Sequence, residues 1–319
     1  MTAAATAQGL RRMRRLRFDN SKLGTALIAR SSSAEEVLVL VAQNLKRLDH
    51  IHCTASLHAL AKHSLTDDAL AKRTLTALLS RQHDFARRGC LDGRQLSNTL
   101  WALARLRQPA LEAMPSGLTN QVAAQLASSK AQQLNHQDIS NGLWAMAALD
   151  VDLEDQADLM SSLASRAEAA PEGFKAQELA NTIWALATCG TGIASRIAQK
   201  LTAYCVVTRI LELESIQLAA MIWAVAAAGL DGPILKSSPA MAGPLMQPLA
   251  AVVRPHVQDF GPQEVANVSW ALAVETIDDP QLRDELALGV QRCMYEFKRK
   301  ELVNTLWAFA VFGSPEVVD

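Results

Sequence analysis

The chain has 319 residues, half of them hydrophobic, which is ample for a continuous core; aromatics at 5% and sparse glycine (15) and proline (11) argue against a β-rich fold. Formal net charge is −1, but residues 1–30 hold seven basic groups and one acid, so the remainder carries 24 basic and 31 acidic residues, a net of −7 that weighs against a nucleic-acid partner for the body of the chain. Cys53, Cys90, Cys189, Cys205 and Cys293 form no Cys-x-x-Cys pair, which fits buried thiols in a reducing compartment, and no charge-free apolar run reaches the ~18 residues of a membrane span.

Residues 1–32 read as a basic N-terminal segment. Gly9-Leu-Arg-Arg-Met-Arg-Arg-Leu-Arg-Phe18 has the make-up of the short basic amphipathic helix found in organelle transit peptides. A basic arm that touches RNA phosphates is the competing reading.

From residue 33 onward one phrase recurs. Leu96-Ser-Asn-Thr-Leu-Trp101-Ala-Leu-Ala returns around Trp144, Trp184, Trp223, Trp270 and Trp307, at spacings of 43, 40, 39, 47 and 37 residues. A degenerate copy lies upstream, with His58 in the tryptophan place 43 residues before Trp101. A period near 40 made of helix-forming residues predicts stacked helical hairpins, an all-α right-handed solenoid (superhelix) of about seven units spanning 33–319. Helix starts are marked by Asn135 with Asp138, by Gln177-Glu178 and by Gly261-Pro262; helix ends are marked by Gly190, Gly229 and Gly313. The partner helices are expected at Glu35–Leu48, Asp68–Leu79, Leu118–Ala127, Glu154–Ala167, Ile193–Tyr204, Leu249–Val257 and Pro280–Tyr295. Asp231–Pro244, rich in glycine and proline, reads as a loop insertion.

In the third tryptophan unit Leu179, Ile183 and Leu186 share one helical stripe with Trp184 and Ala187 beside it. Flanked by Leu, Ile and Ala, the tryptophans are expected in the core, each contributing about 2–3 kcal/mol by burial. Asparagine stands three residues before the tryptophan in five of six units: Asn98, Asn141, Asn181, Asn267 and Asn304, with Ala220 breaking the series. Two readings stay open: amides that bond backbone of the adjacent hairpin and set its register, or amides that face a ligand groove.

Gln-Glu-Leu-Ala-Asn-Thr-Ile-Trp-Ala-Leu-Ala-Thr-Cys-Gly (177–190) resembles the octatricopeptide repeat, a phrase shared with helical-repeat proteins of the FAST-kinase-like and RAP-domain group and with repeat subunits of mitochondrial RNA-editing substrate-binding complexes. The resemblance covers about residues 33–313. It implies a non-catalytic RNA-binding role in organellar RNA processing, stability or editing, mitochondrial matrix first and chloroplast second. Single-stranded RNA would be the partner, with other ribonucleoprotein subunits beside it. No RAP-type segment follows Phe312-Gly313, so nothing nuclease-like is carried over.

Helical-repeat readers contact each base with two or three side chains at fixed repeat positions. The less apolar face of the phrase helix runs through positions seven before, three before and four after the tryptophan. This gives Arg94, Asn98 and Arg105, then Gln137 and Asn141, then Gln177, Asn181 and Thr188, then Gln263 and Asn267, then Lys300 and Asn304 as candidate RNA contacts. Arg87, Arg88 and Lys298-Arg299-Lys300 are further candidates for phosphates. These residues equally fit an ordinary solvated face.

His50, His52, His58, His63 and Cys53 cluster without a shared helical face, so no metal is expected. No phosphate-binding loop, Gly-x-Ser-x-Gly or His-Glu-x-x-His occurs; no enzyme activity, cofactor, small-molecule substrate or membrane association is expected. The alternative is a protein-binding scaffold of a ribonucleoprotein or other complex. Armadillo solenoids also carry Trp-Ala-Leu, with an asparagine four residues after the tryptophan that holds peptide backbone. Here that place is taken by Arg105, Ala148, Thr188, Ala227, Val274 and Val311, so that ladder is missing.

Overall fold

The structure is a computed structural model that describes residues 21–63, 65, 68–127, 133–149, 157–190, 192–230 and 245–313. Residues 1–20 of the basic segment and the insertion at 231–244 lie outside the described residues. Among the described residues every regular element is a helix and no strand occurs. The chain forms two compact units, Met1–Met160 and Ser161–Asp319.

The first unit holds α1 (Ser21–Ala29), α2 (Ala34–Asn44), α3 (His50–Leu60), α4 (Ala69–Arg87), α5 (Gly93–Leu106), α6 (Gln108–Ala113), α7 (Leu118–Ala127) and α8 (His136–Leu149). The unit boundary falls within α9 (Ala157–Ala169). The second holds α10 (Ala176–Cys189), α11 (Gly192–Thr208), α12 (Ser215–Ala227), α13 (Met246–Val253), α14 (Pro262–Val274), α15 (Pro280–Cys293) and α16 (Arg299–Phe312). The phrase helices pack side by side in sequence order, α3, α5 and α8 in the first unit and α10, α12, α14 and α16 in the second. The intervening helices form a second layer, with α4 packed on α3, α7 on α5, α11 on α10, α13 on α12 and α15 on α14. Neighbour-to-neighbour packing of hairpins is how a helical solenoid is built.

Helical geometry explains the row. A residue turns the helix by about 100°. Counted from the tryptophan place, positions −5, −1 and +2 share one face; Leu96, Leu100 and Leu103 there are essentially fully buried, as are Leu179, Ile183 and Leu186. Positions −4 and +3 flank that face on one side and +1 and −2 on the other. They carry small residues, Ser97, Thr99, Ala102 and Ala104 in α5, all buried. Small side chains on both flanks let successive phrase helices approach closely. The remaining sector, positions −7, −3, 0 and +4, spans only about 60°.

Three features depart from expectation. Helix α4 runs to Arg87, past Leu79, because its apolar period continues through Leu75, Leu78, Leu79 and Ala86. Gln82 interrupts that pattern in the sequence, yet it is buried and donates to Thr54 Oγ1 at 3.0 Å and Thr99 Oγ1 at 2.7 Å. The short α6 follows an unexpected left-handed residue, Arg107 at φ 47°. Helix α1 packs against α3 and buries Ile28, so packed helix begins inside residues 1–32.

Among the described residues, four of the six with positive φ stand at one place, six after the tryptophan: Arg107 (φ 47°), Gly190 (65°), Gly229 (59°) and Thr276 (51°). Glycine adopts a positive φ freely, whereas Arg107 and Thr276, which carry a Cβ, hold it at a cost in strain. Gly313 occupies the same place at φ −87° and ends its helix without the left-handed turn.

Candidate nucleic-acid interface

Each phrase helix is capped at its start by the side chain three residues into it, reciprocally in α5 and α8. Asp92 accepts from Gln95 N at 2.8 Å while Gln95 Oε1 accepts from Asp92 N at 3.2 Å. Asn135 and Asp138 exchange bonds of 2.9 and 3.3 Å, as their spacing predicts. Glu178, Glu264 and Glu301 turn back to accept from the backbone N–H of Lys175, Gly261 and Lys298 at 3.0, 3.0 and 2.8 Å. These carboxylates at position −6 are therefore committed to capping, where they also favour the positive helix end.

The unused 60° sector of every phrase helix is solvent-facing. None of the residues at −7, −3, 0 and +4 is fully buried in any of the seven copies. Arg94, Arg105, Gln137, Gln177, Thr188, Gln263 and Lys300 are exposed; Asn98, Asn141, Asn181, Asn267 and Asn304 are partly exposed beside them. The residues singled out from the sequence thus lie on the corresponding sector of their helices. Among the phosphate candidates, Arg87 and Arg88 sit at the end of α4 in the other layer, and Lys298 and Arg299 precede the sector that Lys300 occupies.

The tryptophans are not core residues. Trp101, Trp144, Trp184, Trp223 and Trp270 are partly exposed, and Trp307 is 45% exposed. They share the sector with the asparagines because residues three apart face the same way. Several lean on a neighbour along the row. His58 lies 4.9 Å from Trp101 and tilted by 40°, while Trp184–Trp223 and Trp223–Trp270 are both 6.3 Å apart and tilted by 35°. The result in the second unit is a row of three partly exposed indoles.

Among the described residues one amide of the series meets the next. Asn141 donates to Asn98 Oδ1 at 3.4 Å, one side chain to the next. Other buried or partly buried bonds hold neighbouring repeats in step: Ser97 Oγ donates to Asp138 O at 2.6 Å, and His50 Nδ1 lies 2.9 Å from Gln95 Oε1. In the second unit Arg292 donates to the carbonyls of Val257 and Phe260 at 3.0 and 2.9 Å, and Arg254 pairs with Asp279. Serine at position −4 was not singled out in the sequence; its lone polar atom on a buried flank is the signal that could have found it.

The electrostatics of the sector run against those of the body. Of its 28 positions none is Asp or Glu, and four are Lys or Arg: Lys62, Arg94, Arg105 and Lys300. Arg105 stands over the Trp101 ring at 6.0 Å from its centroid, a cation–π distance. Burial, then the charges of Lys62 and Arg94, push the His58 imidazole down to about 4, so it is neutral at physiological pH and serves as a flat aromatic in the tryptophan place.

Two other histidines near Cys53, His50 and His52, are separately engaged. His52 pairs with Asp49 at 2.7 Å, and Cys53 is buried with its thiol pushed up to about 12 by desolvation. Among the described residues no group of three His, Cys, Asp or Glu converges on a metal-sized point, and no helix is long and apolar enough to cross a membrane. Cys205 and Cys293 are buried as well, whereas Cys90 is exposed, contrary to the expectation of uniformly buried thiols. A scan against protein-family models finds no match to the chain, and a search of curated proteins likewise finds none.

Proposed function

We propose that the chain is a non-catalytic RNA-binding repeat protein acting in organellar RNA processing, stability or editing, in the mitochondrial matrix first and the chloroplast second. Single-stranded RNA is held on the −7, −3, 0 and +4 sector. The observation that carries this reading is charge segregation. A body of net −7 leaves all 28 sector positions free of carboxylates and places four cations, five asparagines and six indoles there. Proteins that hold single strands combine cations for the backbone with aromatic faces for the bases, and amides suit hydrogen bonding to base edges. A right-handed α-solenoid of about seven hairpins is part of the proposal, and a crystal structure of the full chain tests its hand and its repeat count.

Crosslinking in cells followed by sequencing of bound RNA tests the function. Enrichment of organellar transcripts supports it, and recovery of none above background refutes it. In vitro, affinity for single strands should fall with salt at a slope of roughly −0.7 per engaged phosphate. With three cations on the sector of the first unit the slope from that unit is shallow, about −2.

A specific observation favours the second reading, a protein-binding scaffold. Ile216, Ala220, Ala227, Val274 and Val311 make much of the second unit's sector apolar, and Ile216 is 63% exposed. Purification with a stoichiometric protein and no RNA would support the scaffold.

A further inference from the structure

The fourth tryptophan repeat lacks what the others offer. Asn181 and Asn267 stand at −3 in the repeats on either side of it, and Ala220 stands between them. The same repeat places Ile216 at −7 and Ala227 at +4, where its neighbours carry Gln177 and Thr188 on one side and Gln263 on the other. Apart from the indole N–H, no side chain of its sector donates or accepts a hydrogen bond. Yet Trp223 is the middle ring of the indole row, 6.3 Å from both Trp184 and Trp270. That spacing is nearly twice the ~3.4 Å between stacked nucleotides, so successive rings match successive nucleotides of a strand whose bases are unstacked from one another. No carboxylate lies anywhere on the second unit's sector, and Lys300 adds a cation, which suits a polyanion.

We propose that this repeat is a silent position. It holds one nucleotide of bound single-stranded RNA by stacking on Trp223 and accepts any base there, between repeats that discriminate through their amides. The inference rests on the RNA-binding reading and specifies how one part of that site works. Stacking needs only a π face and tolerates every base; discrimination needs groups that pair with a base edge, and this repeat has none.

The test is selection from a random-sequence RNA pool by the full chain and by Ala220→Asn, with affinities of Trp223→Leu measured on the RNA that the unaltered chain selects. The expected consensus has one position open to all four bases, flanked by defined ones. Ala220→Asn, which supplies the amide its neighbours have, should define that position and leave the rest unchanged. Trp223→Leu should weaken binding by roughly tenfold and leave the consensus as it was. A consensus defined without a gap, or one that Ala220→Asn does not alter, overturns the silent position while RNA binding stands. Failure of the unaltered chain to enrich any RNA overturns the RNA-binding reading, and the silent position with it. Thermal unfolding of both variants separates a loss of fold from a loss of stacking, and Ala220→Asn decides the matter if Trp223→Leu does not fold.

Discussion

The two units build the same helix row from the same phrase and put different chemistry on its open sector. In the first unit Lys62, Arg94 and Arg105 surround a His58–Trp101 pair, and the amides of Asn98 and Asn141 are linked. In the second unit the cations give way to one lysine, Lys300, the amide series is broken at Ala220, and three indoles run in sequence. The buried face is shared by both units, with Leu100, Leu143, Ile183 and Ile222 unexposed at −1 and Ser269 buried in the same place, until α16, where Leu306 at −1 is 62% exposed. Architecture and surface chemistry are therefore written in separate registers of one phrase. The face at −5, −1 and +2 makes the row, and the sector at −7, −3, 0 and +4 is free to vary.

That separation can be broken most forcefully in the core. Ile222→Ala, at a fully buried site, should destabilise the second unit by about 2–5 kcal/mol. Ala227→Ser, on the exposed sector of the same helix, should change stability by less than ~0.5 kcal/mol. Denaturant unfolding compares the two, and equal effects would erase the distinction between face and sector.

Next comes charge. Replacing Arg94 and Arg105 together by glutamine should reduce the salt slope of RNA binding by about 1.4, since each removed phosphate contact is worth ~0.7. Gln263→Ala in the second unit should leave the slope unchanged and alter base preference instead. Titrations at several salt concentrations read both.

A smaller effect is expected at the left-handed cap. Thr276 is β-branched at φ 51°, in the place glycine holds in the two preceding repeats. Thr276→Gly should therefore stabilise the second unit by up to ~1 kcal/mol, and Gly229→Ala should cost a similar amount, measured by the same unfolding assay.

A separate effect is the pH dependence from His58. Its folded value of about 4 lies below the unfolded imidazole value near 6.5, so the unfolded chain takes up the proton first. Its contribution is fully present above about 6.5 and is lost as pH falls toward about 4. His58→Trp should flatten the unfolding midpoint over that window, and an unaltered pH profile would show that the ring is not held neutral by its neighbours.

Much of this was legible in the sequence because the phrase repeats in phase. The tryptophan spacing located the hairpins, and the Asn135/Asp138 pair located a helix start to the residue. What failed was the placing of the indoles. Leu, Ile and Ala on both sides made a core position persuasive, but helical geometry puts a residue three after Asn98 on the same side as Asn98. Taking the asparagine and the tryptophan as one sector would have brought Trp101 to the surface. The expected end at Leu79 also fell short: Gln82, a polar residue beyond it, is buried in the fold with its amide N–H groups donating to two hydroxyls. Tertiary partners of this sort are not visible in a local pattern.

The central claim is that the open sector of the phrase helices holds RNA. Ultraviolet crosslinking of the full chain to single-stranded RNA, with the crosslinked residues mapped by mass spectrometry, addresses it directly. The account predicts crosslinks on the peptides carrying Trp101, Trp144, Trp184, Trp223 and Trp270. Crosslinks confined to α4, α7, α11 and α15, in the other layer, would contradict it.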